Sequence, residues 1–169
     1  MKSLLVLILA AIFLVPLART ALAAPAPETT PNVTANLTQL PFKGSFQSTE
    51  IYVRISPTMS VNASGSGNAT QLGQLTVNYE LEVNLLDLSG TGSLYLAGTN
   101  GDSIQAKGIG QAVPDRTPDM FNIVEIYTIT GGTGRFKGAS GTFTLHRLIS
   151  ITTGAALSNF EGYILIPWK

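Results

Sequence analysis

Hydrophobic and polar residues alternate one by one through much of the chain beyond residue 42. The clearest run places Leu75, Val77, Tyr79, Leu81 and Val83 on one side and Thr76, Asn78, Glu80, Glu82 and Asn84 on the other. A period of two is that of an extended strand, whose successive side chains point to opposite faces. This segment is therefore expected to cover a core on one face and meet water on the other. Ile51, Val53 and Ile55 alternate in the same way with Glu50, Tyr52 and Arg54. Further strands are predicted at 91–97, 103–112, 120–130, 141–151 and 159–166, with a short piece near 58–63 as an eighth. From 42 onward no segment carries the 3.6-residue period of an amphipathic helix. Proline is absent from 58 to 113 and from 119 to 166. Paired strands require this, because proline has no N–H to give to a ladder.

The punctuation agrees with short connections. Asn100-Gly101 is the preferred pair for a two-residue hairpin turn, in which both central residues take positive φ. Ser64-Gly65-Ser66-Gly67, Ser89-Gly90 and Gly131-Gly132 read as further turns. Seven or eight strands joined in this way imply an all-β fold, an eight-stranded antiparallel β-barrel or, as the alternative, a β-sandwich. Closure into a barrel removes the exposed edges that would otherwise promote aggregation. The domain is expected to span 42–169.

The first residues read differently. Lys2 precedes an apolar run from Leu4 to Leu17, interrupted only by Pro16. That run is shorter than the roughly 20 residues needed to cross a bilayer. Ala21-Leu22-Ala23 then offers small residues where a signal peptidase reads, so 1–23 is expected to be a signal peptide cleaved after Ala23, with an uncleaved anchor as the alternative. The protein would then be secreted, periplasmic or held at the cell surface. Residues 24–41 are rich in proline and threonine and carry no periodicity, the composition of a disordered linker. N-glycosylation sequons begin at Asn32, Asn36, Asn62 and Asn68.

Composition narrows the chemistry. The 169 residues hold ten basic and ten acidic side chains, one His, one Trp and no Cys. Loss of Lys2 and Arg19 with the signal peptide leaves eight basic against ten acidic. No basic face is available for nucleic acid. Without Cys there is no disulfide framework, thiolate metal site or Cys nucleophile, and one His cannot make a multi-His metal site. No cofactor is expected.

The run Gly131-Gly132-Thr133-Gly134-Arg135-Phe136-Lys137-Gly138-Ala139-Ser140-Gly141 is unusually glycine-rich, and Thr142-Phe143-Thr144-Leu145-His146 follows it. It resembles the signature shared by allene oxide cyclase barrels and dirigent proteins, in which a GGTG-x-F turn links two long strands. Gly67-Asn68-Ala69-Thr70-Gln71-Leu72-Gly73 and Asn100-Gly101-Asp102 resemble secreted proteins with an allene oxide cyclase-like barrel domain. The resemblance spans roughly 44–166. It implies an eight-stranded antiparallel barrel with an inner cavity, and often a homotrimer. The cyclases use a Glu and a bound water beside Asn, Pro and Cys. Here the first strand reads Glu50-Ile51-Tyr52-Val53-Arg54 and the chain has no Cys; that set is not matched position by position, so no catalytic residue is assigned.

Read on its own, the glycine-rich turn has one large apolar residue, Phe136, which is expected to fold back and plug one barrel end. A phosphate-cradling loop is the alternative. Such a loop opens a helix, however, and a strand pattern follows here. If residues whose numbers sum to 272 oppose each other across this turn, Phe121, Ile123, Tyr127 and Ile129 meet Ile151, Ile149, Leu145 and Phe143. Glu125 then faces Arg147 inside an apolar stripe. A buried charge without a partner is very costly, so the two are expected to pair. Glu125, Arg147, Tyr127 and Phe136 form the candidate ligand site, with a structural ion pair as the plainer reading. His146 is expected to face outward. Glu80 and Glu82 share a face that could hold a hard cation but reads more simply as solvated. Asp87, Asp102, Asp115 and Asp119 are expected in turns, and loop 112–119 at the barrel mouth. Trp168 is either an exposed patch or packing over a barrel end.

The expected function is an exported barrel that binds a small apolar ligand or serves as a non-catalytic surface protein. The alternative is a cyclase-like isomerase or a dirigent-like guide of a reactive intermediate. The expected partners are a small apolar molecule and other copies of the chain, with no nucleic acid and no membrane contact beyond the signal peptide.

Overall fold

The computed structural model describes residues 36–168. The expected signal peptide, 1–23, and all but the end of the expected linker lie outside them. Eight strands run β1 (Leu37–Ile55), β2 (Thr58–Ala69), β3 (Gly73–Asn84), β4 (Ser89–Gly98), β5 (Ser103–Pro114), β6 (Met120–Gly132), β7 (Ser140–Ser150) and β8 (Ala155–Pro167). Each pairs antiparallel with its chain neighbour, and β1 closes on β8 to complete the barrel. The alternative of a sandwich is thereby excluded. The only helical element among the described residues is a 3-10 turn, Gly134–Phe136.

Several sequence expectations need correction. β1 begins at Leu37, five residues inside the expected linker, because 37–41 pair with 163–167 of β8. Ser64-Gly65-Ser66-Gly67 is not a turn but part of β2, paired with 46–49 and 75–78. Gly65 and Gly67 are there for close approach: a Cβ on Gly65 would lie 2.7 Å from the Cα of Ser48, and one on Gly67 2.6 Å from that of Phe46. Ser89-Gly90 likewise opens β4. Gly131-Gly132 ends β6 beside a register shift between Gln105 and Ala106 of β5. Asn100-Gly101 does lie in a turn, but positive φ falls on Gly101 alone. Gly101 N–H donates to the Gly98 carbonyl and Gly98 N–H to that of Asp102, so the connection is longer than a two-residue hairpin.

Across the glycine-rich turn the paired numbers sum to 270, not 272: Phe121 meets Ile149, Tyr127 meets Phe143, and Glu125 meets Leu145. A shift of two residues leaves every side chain on its own face. The apolar stripe therefore selects the face but not the register, which is set by how many residues the 3-10 turn consumes.

Inward residues form two zones. Phe42, Phe46, Tyr79, Tyr127, Phe143 and Phe160 fill the middle of the tube, with Tyr127 stacked on Phe143 at 5.3 Å between ring centroids. Phe136 is fully buried against one end, as expected of a plug, with the Arg135 guanidinium 4.8 Å from its ring centroid. That closed end carries the β2–β3, β4–β5 and β6–β7 connections. The other end, with the β1–β2, β3–β4, β5–β6 and β7–β8 connections, is open.

At the end of β1 the alternation is inverted. Ile51, Val53 and Ile55 face outward and are exposed, while Glu50 is buried and Tyr52 half-buried on the inner side. The phase is fixed by Phe42 and Phe46, which are buried earlier in the same unbroken strand.

Candidate functional site

A cavity of about 330 Å³ occupies the open end. Arg54 and Ile151 stand exposed at its rim; Tyr52, Met59, Val83, Leu85, Phe121 and Ile123 line it half-buried; Val61, Leu81, Ile149, Glu50 and Arg147 close it at depth. The walls are largely aliphatic and aromatic, and the floor is charged.

The floor is assembled from three strands. Arg147 of β7 points inward between Glu50 of β1 and Glu125 of β6, and all three residues are buried. Arg147 Nη1 donates to Glu50 Oε1 at 2.6 Å, and Nη2 to Glu125 Oε1 at 2.9 Å. Tyr79 OH donates to Glu50 Oε1 at 2.6 Å and shares a 2.9 Å hydrogen bond with Ser48 Oγ. The Arg147 guanidinium also lies 4.9 Å from the Tyr79 ring centroid, a cation–π contact. Tyr127 OH donates to Glu125 Oε1 at 3.5 Å. One guanidinium thus joins two carboxylates, each also held by a tyrosine.

Glycines make room for these large polar groups. Gly110 lies directly across from Glu125 and Gly108 across from Tyr127. A Cβ on Gly108 would sit 2.6 Å from Tyr127 Cε1, and one on Gly110 would collide with Glu125 Cγ. Small residues on β5 thereby let β6 aim its side chains into the barrel.

Burial dominates the protonation equilibria. Glu125 is pushed up from the ordinary carboxylate range by desolvation; Arg147 opposes this and Glu50 adds to it. Burial also raises the phenols of Tyr52, Tyr79 and Tyr127, so all three stay protonated donors. For Arg147, burial favours the neutral form, but the charges of Glu125 and Glu50 outweigh it and hold the guanidinium charged.

Among the described residues, three buried side-chain polar atoms have no partner: Tyr52 Oη, Arg147 Nε and Ser158 Oγ. Buried donors without acceptors are uncommon. Two of these three belong to residues that line the cavity.

Glu125 and Arg147 therefore pair, diagonally rather than face to face. Arg147 reaches the cavity; Glu125 stands behind it, outside the cavity lining, as does Tyr127, which is core. Phe136 is at the opposite end and does not line the cavity. His146 faces outward. Glu80 and Glu82 are exposed on the outer wall, and no group of three metal-ligating side chains occurs among the described residues. Asp87 and Asp115 accept hydrogen bonds from Ser89 N–H and Thr117 N–H inside their own turns, and Asp119 takes a φ of 62°. The β5–β6 loop starts at 115 rather than 112, and Ala112, still in β5, lines the cavity. Trp168 is exposed, with its N–H donated to the Asn36 carbonyl.

Sequence reasoning missed Glu50, Tyr52 and Arg54. Counting in twos from Phe42 and Phe46 reaches Glu50 and Tyr52 and would have placed them inside.

No family model and no curated protein sequence matches the chain. Among solved structures, the fold matches a dirigent protein: the pterocarpan synthase dirigent protein GePTS1 superposes with a TM-score of 0.54 at 13% identity, over 88% of this chain and 99% of that one. The closed antiparallel barrel seen here is thus a dirigent-like barrel.

Proposed function

We propose that the protein is an exported dirigent-like barrel that holds one small, mostly apolar, uncharged molecule in its open end. The observation that carries this reading is an apolar-walled cavity ending on a buried Glu50–Arg147–Glu125 cluster, with unpartnered donors at Tyr52 and Arg147. Its size lies at the lower end of the roughly 300–1,000 Å³ of small-molecule sites, which typically combine apolar walls with a few polar anchors. The anchors select the ligand. The Glu50 carboxylate at the floor disfavours an anion, whereas Tyr52 OH and Arg147 Nε–H lack an acceptor. A neutral carbonyl, ether or hydroxyl oxygen on an apolar skeleton is the kind of acceptor these donors lack. Export rests on the signal-like residues 1–23.

A guide or isomerase is the second reading, favoured by the raised protonation equilibrium of Glu125. It requires a route from Glu125, which stands behind Arg147, to the cavity. A homotrimer, which the family resemblance implies, could use Ile109 and Ile126, exposed and directly opposed on the outer wall.

Titration with the uncharged dye Nile red tests the binding reading. Saturable, one-to-one fluorescence enhancement is expected, abolished by Leu81→Trp, which fills the cavity. Enhancement that survives this substitution would place the dye elsewhere and remove the support.

A further inference from the structure

We propose that the outer wall of the barrel carries a second binding site, centred on Tyr95, that takes a neutral saccharide. Tyr95 of β4 points outward and is 40% exposed. The outward side chains on either side of it along β4 are Ser93 and Ala97, too small to cover its ring. Across the sheet it is directly opposed by Asn78 of β3 and Gln105 of β5. One step along, Ser93 stands in the same way between Glu80 and Lys107. Directly opposed side chains of antiparallel strands have Cβ atoms about 5 Å apart, so the two amides flank the ring within reach of one bound molecule. Among the described residues, no hydrogen bond or ion pair engages the side chains of Asn78, Glu80, Ser93, Tyr95, Gln105 or Lys107. An open depression of about 320 Å³ lies over Tyr95; a second, of about 560 Å³, shares Glu80, Ser93 and Lys107 with it and continues to Thr91 and Asn62. From Tyr95 to Thr91 this groove runs about 13 Å, at a rise of ~3.3 Å per residue.

The chemistry of these rows selects the occupant. A carboxamide presents two donors and an acceptor, and a serine hydroxyl is donor and acceptor at once. A polyhydroxylated ring offers the complementary set, a donor and an acceptor on every hydroxyl, while its C–H face supplies the apolar surface that an aromatic ring buries. Other occupants lack this match. Nucleic acid requires clustered cations, and among the described residues Lys107 is the only cation lining the groove, beside Glu80 and Glu82. The same two carboxylates disfavour an acidic polymer. A small apolar ligand requires predominantly hydrophobic walls, and the core of a protein interface is depleted of charge. Here one aromatic ring is surrounded by amides, a hydroxyl and charges. The neighbouring wall differs, with Ile109, Val124 and Ile126 exposed on β5 and β6. Tyr95 and the side chains of the open-end cavity lie on opposite faces of the sheet, so the saccharide site is independent of the ligand reading.

The test is affinity electrophoresis of the full exported chain through native gels that hold one neutral polysaccharide each: hydroxyethylcellulose, glucomannan, arabinoxylan or dextran. Polygalacturonate is the acidic comparison. Retardation is expected in at least one neutral gel and not in polygalacturonate. Tyr95→Ala is expected to weaken retention about tenfold, Asn78→Ala and Gln105→Ala to weaken it several-fold, and Tyr95→Phe, which keeps the ring, to preserve it. None of these substitutions changes the net charge, so mobility in plain gels stays the same, and unaltered thermal transitions verify folding. Leu81→Trp, which fills the interior cavity, is expected to leave retention unchanged. The proposal is overturned by the absence of retardation in every neutral gel, by retardation in polygalacturonate alone, by full retention in Tyr95→Ala, or by loss of retention in a folded Leu81→Trp variant, which would place the sugar inside the barrel. It is also overturned if Tyr95→Ala splits an oligomer on size-exclusion chromatography, since the face would then be a contact between copies. Retardation without Nile red binding sinks the ligand reading alone, and Nile red binding without retardation sinks the saccharide site alone.

Discussion

Replacing Arg147 by Met removes the one cation between two buried carboxylates. The side chains of Arg147, Glu50 and Glu125 are only 3%, 3% and 7% exposed, so water cannot take over the role of the guanidinium without opening the barrel. Breaking a buried pair by deleting one partner costs about 3–5 kcal/mol, because a charge is left uncompensated. Here two carboxylates are stranded rather than one, which places the expected loss at the upper end, about 5 kcal/mol. For a domain of this size the midpoint of thermal unfolding should fall by roughly 10–20 °C. The triple replacement Glu50→Gln, Glu125→Gln, Arg147→Met leaves no ion in the core and should recover most of the loss, since apolar or neutral substitutes for a complete buried cluster are often neutral in stability. The assay is urea denaturation of the single, triple and wild-type chains at neutral pH, with equal slopes confirming a common mechanism. A single variant within about 1 kcal/mol of wild type, or a triple variant less stable than the single one, would mean that these side chains are solvated and that the barrel interior is not as described.

Three further outcomes follow from the same geometry. Glu125 has a folded-state value above its ordinary one. Its contribution to stability is therefore fully present below the ordinary carboxylate value and is lost as pH rises through the folded value; Glu125→Gln should flatten that part of the stability curve in a pH series of urea melts. Gly110→Val puts a branched side chain where Glu125 Cγ passes, and should cost about 1–3 kcal/mol by overpacking, more than Gly73→Val at a position with nothing near its Cβ costs beyond its backbone strain. Phe136→Ala should cost about 3–5 kcal/mol by opening a cavity at the closed end, while Nile red affinity at the far end stays unchanged in fluorescence titration.

The strand pattern of β3 was legible because its inner face is uniformly apolar and its outer face uniformly polar. β1 was not, because two demands conflict there: the end of the strand carries exposed aliphatics outside and an ionised cluster inside, so local hydrophobicity points the wrong way. Only the phase of the whole strand, set by Phe42 and Phe46, resolves it. The middle of β2 was missed for a related reason. Its serines and glycines have the composition of a turn, yet the glycines serve close approach to Phe46 and Ser48. The Glu125–Arg147 pair was legible because a shift of two residues preserves the inner face, so the pairing survives a wrong register as a diagonal contact. The third member, Glu50, comes from a strand 97 positions away from Arg147, a distance that no local pattern bridges.

Native mass spectrometry of the protein from its own source tests the central claim most directly. The account predicts one retained uncharged small molecule per chain, absent from Leu81→Trp prepared in the same way. Wild-type chains that carry nothing and bind no uncharged apolar compound, or a ligand equally retained by the filled variant, would contradict it.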